Sequence, residues 1–310
     1  MTACFGQSPA GTRMSWQEAV LPQLTEAEAA AWRRTQGRVI VEHKNRYWER
    51  VTPGFYQPIH LLARFSADEA ERPVRWSWGF RARLAPTDVA AANATMPVHV
   101  LPDPAGYCAM RLSSDRRRKV RKGLSELDIL VLRAPGILLE QGYGVALEAK
   151  MYNLGVSLPG PAEFRQWISS YFAPERGLIV AGLKDGRLLG FCSNFAIDGA
   201  GYQDMLYVGA EGRRHHLALC LFHASASIAG RSAHVRELMN GPHLREYPGI
   251  CAFKRDLGLE LIHLPARAWI APLAGPLLRR VRPDAYYRLT GDHTVPGRLS
   301  NNSPWFAGEA

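Results

Sequence analysis

The chain has 310 residues, and its 38 Lys plus Arg outnumber 28 Asp plus Glu, for a formal net charge of +10. The length fits one large domain or two packed half-domains, and 47% hydrophobic residues with eight Trp exclude a disordered chain. The charge favours acidic partners such as a phosphorylated cofactor, an acidic carrier protein, RNA or an anionic membrane, although Arg-rich soluble enzymes share it.

In the first half, hydrophobic periodicity predicts one helix followed by strands. The expected elements are a flexible lead over 1–14, a helix over 24–36, strands over 38–42, 59–65 and 98–101, and a short helix after Thr87. A further strand over 74–84 shows a period of two. Its apolar face carries Val74, Trp76, Trp78, Phe80, Ala82 and Leu84.

A strongly basic segment follows this half. Six of the seven residues 116–122 are Lys or Arg, and Ser113-Ser114-Asp115 offers a helix N-cap before them. The pattern predicts a basic linking helix over 116–127. It contacts a nucleic acid or a carrier protein, or it is a solvated basic face. No aromatic residues interleave the charges, so stacking on single-stranded RNA is not indicated.

The second half predicts a regular order of strand, two helices, three antiparallel strands, helix, strand, helix and strand. Pro161 suits the first position of the second helix, and Lys184-Asp185-Gly186-Arg187 is a hairpin turn. The predicted ranges are 129–132, 138–153, 161–172, 178–183, 188–197, 202–208, 213–229, 234–239, 248–257 and 259–264. In the remaining extension, prolines prevent one long helix over 264–281. This segment touches a membrane surface or packs against the first half.

The five cysteines are scattered, at Cys4, Cys108, Cys192, Cys220 and Cys251. Their separations match no short metal-ligand spacing, and an odd, dispersed set does not indicate a disulfide framework. We therefore predict no metal. No signal-peptide core precedes Trp16, and no run approaches the roughly 20 apolar residues of a membrane span. These observations predict a cytoplasmic protein without an integral membrane segment.

The element order of the second half resembles the GNAT superfamily of N-acyltransferases. Residues 182–191 are similar to a hairpin common in that fold, and residues 207–218 to its strand-loop-helix junction. Phe253-Lys254 followed by Gly258, together with the basic helix, resembles the FemAB-like branch. The resemblance implies an α+β fold with a mixed, mostly antiparallel sheet flanked by helices. It also implies two GNAT-like halves, over 15–115 and 128–265, with an extension over 266–310.

The same resemblance implies a donor site at the junction after the strand over 202–208. A helix N-terminus offers free N–H groups and a positive dipole end to a pyrophosphate. His216 stands where the family pattern has a glycine, and a side chain there restricts close approach of a phosphate. An acyl-CoA or another acyl thioester is the implied donor, while His216 is compatible with aminoacyl-tRNA, an acyl carrier thioester, or a loop that has lost donor binding. The candidate donor-binding residues are Leu206, Val208, Arg213, Arg214, His215, His216 and Ala218.

Five residues are candidates for the chemistry of amide formation, which requires a base, a stabilised oxyanion and a proton for the leaving group. Lys254 offsets negative charge on the donor or oxyanion, or forms a salt bridge. Asp204 and Glu148 serve the amine, or are surface charges. Tyr207 and Tyr247 protonate the leaving group, or are buried aromatics. The loop of Asn240, Gly241 and His243 is a candidate substrate contact.

These residues predict an N-acyltransferase that moves an acyl or aminoacyl group from a thioester or ester to a small-molecule or peptide amine. An acyl carrier protein or tRNA is the candidate macromolecular partner. The alternative is a non-catalytic GNAT-like binding module.

Overall fold

The computed structural model describes residues 13–152, 158–173, 176–295 and 297. The predicted flexible lead up to residue 12, the helix end at Asn153 and the tail beyond residue 297 lie outside these residues. The strands are β1 (Arg13–Ser15), β2 (Gln23–Leu24), β3 (Ile40–His43), β4 (Arg46–Thr52), β5 (Phe55–Pro58), β6 (Gly79–Arg83), β7 (Ala94–Leu101), β8 (Asp128–Leu132), β9 (Leu178–Lys184), β10 (Arg187–Ile197), β11 (Ala200–Val208), β12 (Glu237–Pro242) and β13 (Glu260–Ile270).

The helices cover both faces of the sheet that these strands form. They are α1 (Glu26–Thr35), α2 (Ser114–Glu126), α3 (Tyr143–Tyr152), α4 (Pro161–Tyr171), α5 (Ala210–Arg214), α6 (Leu217–Arg231), α7 (Pro248–Asp256), α8 (Ala274–Val281) and α9 (Pro283–Thr290). A π-helical turn (Leu138–Gly142) leads into α3, and 3₁₀ turns span Pro86–Ala91 and Ala109–Arg111.

The strands join into one mixed sheet with the order β1-β8-β9-β10-β11-β12-β7-β13-β6-β5-β4-β3, and β2 pairs with β10. Among the described pairs, β2 with β10, β5 with β6 and β11 with β12 are parallel, and the others are antiparallel. The predicted mixed, mostly antiparallel sheet flanked by helices is therefore confirmed. Because β7 from the first half lies between β12 and β13, the sheet is continuous across the chain, and the division into two halves stays a prediction.

Local sequence signals account for several helix ends. Thr25 Oγ1 accepts from Glu28 N while Glu28 Oε2 accepts from Thr25 N, which is a capping box. The predicted cap on the basic helix is confirmed, since Ser113 Oγ accepts from Arg116 N. Pro161 occupies the first turn of α4 as predicted. Each such cap contributes about 1 kcal/mol.

The central strands are buried on two faces. Residues 179, 181 and 183 of β9 pack in a core with α1, α3 and α4, which includes Trp32, Phe164 and Phe191. Val180 packs instead on the opposite face, with α2 and α6. A third cluster around Trp48, Phe65 and Phe80 supports the first half. Fully burying each large apolar side chain contributes about 1.5–3 kcal/mol, so these layers hold the central strands rigidly.

Close packing at Leu217 brings α6 against the hairpin of β9 and β10. A Cβ atom added to Gly182 or Gly190 would lie 2.2 or 2.8 Å from a methyl of Leu217. At Gly190 it would also lie 2.7 Å from the carbonyl oxygen of Tyr207. The glycines of the predicted hairpin are therefore needed for the approach of α6.

Parts of the first half differ from the expectation. Residues 59–65 form turns rather than a strand, because Leu62 N and His60 Nδ1 bond to the hydroxyl of Tyr202. β6 begins only at Gly79, because residues 74–77 form a turn in which Ser77 N donates to Val74 O. In this turn Trp76 is 85% exposed. The strands β4 and β5 lie outside the predicted elements.

The predicted helix over 213–229 is in fact two helices. α5 ends at Arg214, α6 begins at Leu217, and His216 between them has a left-handed backbone with φ of 56°. This conformation is uncommon for a residue with a Cβ atom. The helix breaks because this residue turns the chain before α6 starts.

In the extension, α8 and α9 lie outside the predicted elements. Arg81 of β6 donates to the carbonyl oxygen of Arg288, which attaches α9 to the first half. Beside it, Leu273 and Leu277 remain largely exposed at α8. Among the described residues, no helix combines the length and apolar character needed to cross a membrane.

Candidate active site

The strands β11 and β12 separate soon after they meet. Their parallel pairing covers only Ala200 to Tyr202 on β11 and Glu237 to Met239 on β12. Residues 203–208 of β11 then continue along β10, while residues 240–242 of β12 follow β7. We call the space between these two segments the wedge. A sheet that opens in this way offers unpaired backbone groups to a ligand.

A β-bulge reshapes β11 at the start of the wedge. Cys192 pairs with Leu206 but Asn194 pairs with Gln203, so β11 has one extra residue opposite Ser193. Ser193 Oγ accepts from Met205 N at 3.2 Å, which satisfies one of the displaced amides. Bulges redirect neighbouring side chains and end regular pairing. Here the bulge places Asp204 and Met205 at the wall of the wedge.

A chain of polar side chains crosses the closed end of the wedge. Lys254 Nζ on α7 donates to Asn240 O, and the amide of Asn240 donates to Gln203 Oε1. Gln203 Nε2 then donates to Ser225 Oγ at 3.0 Å, on α6. Lys254, Gln203 and Ser225 are all buried. The chain therefore links α7, β12, β11 and α6 through three buried side chains and the half-buried Asn240.

Lys254 is the charged residue at one end of this hydrogen-bonded series. Burial lowers the pKa of its ammonium to about 8, and the described ion pairs give it no carboxylate partner. A buried, weakly compensated lysine is costly for stability and is a marker of functional sites. The predicted salt bridge on α7 belongs instead to a neighbouring turn, where Asp256 pairs with Arg116 at 3.0 Å.

A small cavity of about 90 Å³ opens beside the bulge. Residues from α3, from β11 and from the chain before α4 line it together: Ala149, Lys150, Leu158, Asp204, Met205, Leu206 and Tyr207. This volume holds only a few waters. Three of the predicted site residues, Asp204, Leu206 and Tyr207, thus share one cavity with the helix that carries Glu148.

Asp204 and Tyr207 differ in their readiness for proton transfer. Asp204 pairs with Arg33 at 3.3 Å and is partly exposed, so its charge is already compensated by α1. Burial raises the pKa of Tyr207 to about 12, so this phenol stays neutral near pH 7. Tyr247, by contrast, is half-buried at the N-cap of α7 and makes no capping hydrogen bond with its side chain.

Two backbone amides at the start of the predicted donor junction already have partners. Ala210 N donates to Glu148 Oε2 at 3.0 Å, and Gly209 N donates to Leu189 O at 2.9 Å. The carboxylate of Glu148 therefore lies at the N-terminus of α5, where a negative side chain is favourable. It occupies the first amide of α5, whereas the residues of the family pattern, 213–218, lie farther along the chain, at the start of α6.

Arg213 and His215 of this junction contact other groups of the protein. Arg213 donates to Val208 O at 2.8 Å. His215 Nδ1 contacts Glu126 at 2.5 Å while its Nε2 lies 3.2 Å from Lys184 Nζ, so this ring joins α2 to β9. Ala218 is buried within α6. Of the predicted donor-binding residues, only Leu206 lines the cavity; Arg214 ends α5 and His216 forms the break before α6.

Three members of this arrangement were not among the predicted residues: Gln203 on β11, Arg33 and Ser225. Arg33 comes from a helix in the first half, and Ser225 lies on the third turn of α6. Neither belongs to a motif. In the sequence, Ser225 is marked only as a polar residue that lies one turn from Leu221 and Ile228 on the apolar face of its helix.

A larger depression lies far from the wedge, at the other end of the sheet. Its volume is about 670 Å³, and it is open to solvent between residues 71–75 and the edge formed by Arg267 to Trp269. None of the predicted site residues lines it.

Comparisons with solved structures place this arrangement in a known fold. The C-terminal domain of a putative lysylphosphatidylglycerol synthetase from Agrobacterium fabrum superposes with a TM-score of 0.55 at 13% identity, over 85% of this chain and 93% of that one. FemX superposes with a TM-score of 0.55 at 10% identity, over 86% and 96%. The chain therefore has the fold of these two proteins. No protein-family model matches the sequence, and no curated protein sequence matches it.

A third solved structure that superposes on this chain is a conserved protein of unknown function from Bacteroides thetaiotaomicron. It superposes with a TM-score of 0.51 at 8% identity, over 79% of this chain and 90% of that one. At such identities the likeness concerns the fold, so activity has to be argued from the site itself.

Proposed function

We propose that the protein is an acyl or aminoacyl transferase that joins an activated acyl group to an amine in the wedge. The observation that carries this proposal is the buried chain from Lys254 through Asn240 and Gln203 to Ser225. A preorganised cation in a site without bulk water stabilises developing negative charge far better than it would in solution. The fold shared with FemX agrees with this chemistry.

The individual roles follow from position. Lys254 offsets the charge that develops on the carbonyl oxygen of the ester or thioester. The cavity beside the bulge receives the amine, with Asp204 as the carboxylate that orients it and Lys150 at its rim. Tyr207, neutral near pH 7, donates a hydrogen bond there, and Tyr247 lies at the start of the helix that carries Lys254. The acceptor in this proposal is a small-molecule or peptide amine in the cytoplasm.

For the donor, the contact between Glu148 and Ala210 N argues against a pyrophosphate bound at α5. A carboxylate and a pyrophosphate repel each other, and both need the same amide. We therefore propose a donor that is held elsewhere, such as aminoacyl-tRNA or the thioester of an acyl carrier protein, ahead of free acyl-CoA. Both are acidic partners that suit a chain of net charge +10.

A panel of donors tests this proposal by thermal stabilisation. Purified protein is heated with acetyl-CoA, longer acyl-CoAs, acylated carrier protein and charged tRNA, each compared with its uncharged form. A donor at 100 times its Kd stabilises the folded state by about 2.7 kcal/mol. We expect stabilisation by a carrier or tRNA ester that exceeds the effect of free CoA esters. No stabilisation by any ester or thioester would contradict the proposal.

Transfer is then measured with amine acceptors in the presence of the stabilising donor. Arg118 and Lys122 on α2 are 70% and 57% exposed at their side chains, and exchanging both for Gln tests a tRNA contact. If tRNA binds through α2, the dependence of binding on salt becomes shallower. Unchanged salt dependence would remove α2 from the proposal but would leave the wedge in it.

The second candidate is a non-catalytic binding module, which the filled junction at α5 favours. The double variant Glu148→Gln with His216→Gly removes the carboxylate and restores the glycine of the family pattern. If the wild type binds no donor but this variant binds acyl-CoA, then the chain has lost donor binding at that junction. If neither the wild type nor the double variant binds any donor, then the protein is a binding module whose ligand is not an acyl donor.

A further inference from the structure

Three metal-binding side chains that are far apart in the sequence meet behind α7. His99 lies on β7, His243 follows β12, and Cys251 lies on α7. His243 Nδ1 lies 3.2 Å from His99 Nε2 and 3.4 Å from Cys251 Sγ. All three ligand atoms lie within 4.8 Å of one another.

Two of the three separations match the edges of a tetrahedral coordination sphere, and the third, between His99 Nε2 and Cys251 Sγ, is at most 4.8 Å. Zinc is bound at about 2.0–2.1 Å by imidazole nitrogen and about 2.3 Å by thiolate sulfur. A tetrahedral angle then places two nitrogens about 3.3 Å apart and a nitrogen and a sulfur about 3.6 Å apart. The two measured distances lie within about 0.2 Å of these values, so a metal ion fits with little movement of the side chains.

The protonation states also suit a metal ion. Burial lowers the pKa of both His99 and His243, and an uncharged imidazole keeps the lone pair that a metal ion needs. For Cys251, burial raises the pKa of the thiol, whereas Lys254 and Arg255 act in the opposite direction. A bound metal ion deprotonates such a thiol.

A hydrogen-bonded cluster alone leaves this region incompletely satisfied. Nδ1 of His99 is buried and has no hydrogen-bond partner among the described residues. With either His243 or a metal ion at Nε2, the proton of His99 sits on that unpartnered nitrogen, and Cys251 Sγ lies 3.3 Å from the carbonyl oxygen of Leu244. Two imidazoles and a thiol with no acceptor carboxylate are a more natural set for a metal ion than for a hydrogen-bond network.

We propose that His99 Nε2, His243 Nδ1 and Cys251 Sγ bind a zinc-class transition metal ion, with a fourth coordination position open to water or a small anion. Two nitrogens and a sulfur select zinc or a similar borderline ion over magnesium or calcium, which require oxygen ligands. The nearby ammonium of Lys254 favours a thiolate and an anionic fourth ligand, because both reduce the net positive charge.

Such an ion would fasten α7 to the sheet. Its ligands come from β7, the chain after β12, and α7, and Lys254 lies one turn after Cys251 on the same helix. The ion therefore holds the helix that carries the candidate cation of the wedge. Because the site is built from its own three ligands, this inference stands or falls separately from the proposed transferase activity.

The test uses the full chain and two metals. Zinc is measured by mass spectrometry after dialysis, and cobalt(II) is added to metal-free protein as a spectroscopic probe. We expect about one equivalent of zinc, and with cobalt a thiolate charge-transfer band together with the strong visible bands of a tetrahedral site. Wild-type protein that binds neither ion in stoichiometric amount would overturn the proposal without any variant.

Variants then assign the ligands. Cys251→Ser should abolish the charge-transfer band, and His243→Ala should weaken zinc binding by more than about 100-fold, since even an outer-shell partner is worth 10- to 100-fold. Cys108→Ser and His223→Gln are the controls, on an exposed thiol and on a ring of α6. A charge-transfer band that survives in Cys251→Ser, or disappears in Cys108→Ser, would contradict the assignment.

Discussion

The junction at α5 and the wedge beside α7 both present polar groups to a ligand, but they use them differently. At the junction, Glu148 accepts from Ala210 N and Leu189 O accepts from Gly209 N, so the amides are satisfied within the protein. At the wedge, the buried Lys254 donates to the carbonyl oxygen of Asn240, whose side-chain amide donates in turn to Gln203. A satisfied helix end stabilises the fold, whereas a buried cation without a counter-charge costs stability.

The difference teaches where to look for function in this fold. The junction resembles a longer family pattern, broken at His216, yet two of its amides already serve the structure. The wedge matches only a short signature, yet it retains an arrangement that the fold alone does not need. Residues that reduce stability and persist at a cleft are better candidates for chemistry than residues that complete a motif.

The largest expected effect concerns Lys254. Lys254→Met keeps the length of the side chain and removes the charge, so transfer should fall by about 100-fold or more, as for other removed oxyanion donors. The melting temperature should stay the same or rise, because a desolvated ammonium is lost. Arg255→Met, on the exposed face of the same helix, is the matched control. Equal transfer rates for the two variants would contradict the role of Lys254 in the wedge.

Gly190→Ala probes the junction as a packing feature. The added methyl would lie 2.7 Å from Tyr207 O and 2.8 Å from Leu217, and neither the backbone nor the buried leucine has room to move. We expect a loss of about 2–3 kcal/mol in the free energy of unfolding, measured with denaturant. Gly144→Ala meets nothing within 4 Å in α3 and should be neutral or gain up to about 1 kcal/mol. A similar loss in both variants would contradict the packing argument.

His60 holds the paired beginning of β11, where the wedge closes, through a 2.6 Å contact with the Tyr202 hydroxyl. Burial, helped by Arg46 and Arg83, lowers the pKa of His60 to about 3. In the unfolded chain its pKa is about 6.5, so between these values only the unfolded chain takes up the proton. Stability is therefore full above pH 6.5 and falls as the pH is lowered, by about 1.4 kcal/mol per unit from this group.

The variant His60→Gln isolates this contribution. Denaturant unfolding of both proteins from pH 7.5 to 5 should give a shallower decline for the variant, with the two curves differing by about 2 kcal/mol in relative stability at pH 5. Parallel curves would mean that His60 does not titrate differently in the folded and unfolded states.

The smallest expected effect belongs to His216. A glycine relieves the left-handed backbone at φ of 56°, so His216→Gly should stabilise the fold by up to about 1 kcal/mol. Ala218→Gly, two residues later within α6, should instead cost about 1 kcal/mol. With Glu148 still on Ala210 N, His216→Gly alone should not create acyl-CoA binding. Tight binding by this single variant would reverse the comparison between the junction and the wedge.

Several features of the second half were predicted correctly because they rest on local patterns. The hairpin at Asp185-Gly186, with a left-handed backbone at both residues, follows from the preferences of a two-residue turn. The caps at Ser113 and Pro161 are equally local. The alternation over 74–84 misled because Trp76 belongs to a turn, and short apolar runs do not distinguish a strand from a loop that packs on the core.

The site shows the same division. The signature Phe253-Lys254 marked the lysine, and its burial agrees with a functional role. The partners of other residues followed from no motif. Arg33 meets Asp204 across 171 positions, and Glu148 meets Ala210 across 62. Such pairs depend on which faces of distant elements meet.

By itself, the sequence determined the order of the elements, the turns and caps, and the candidate lysine, because each of these depends on residues within a few positions of one another. Only the tertiary structure decided that Glu148 fills the junction, that β7 lies between β12 and β13, and that His99, His243 and Cys251 meet behind α7. These outcomes depend on strand register and helix packing, where a shift of one residue moves every side chain to the other face.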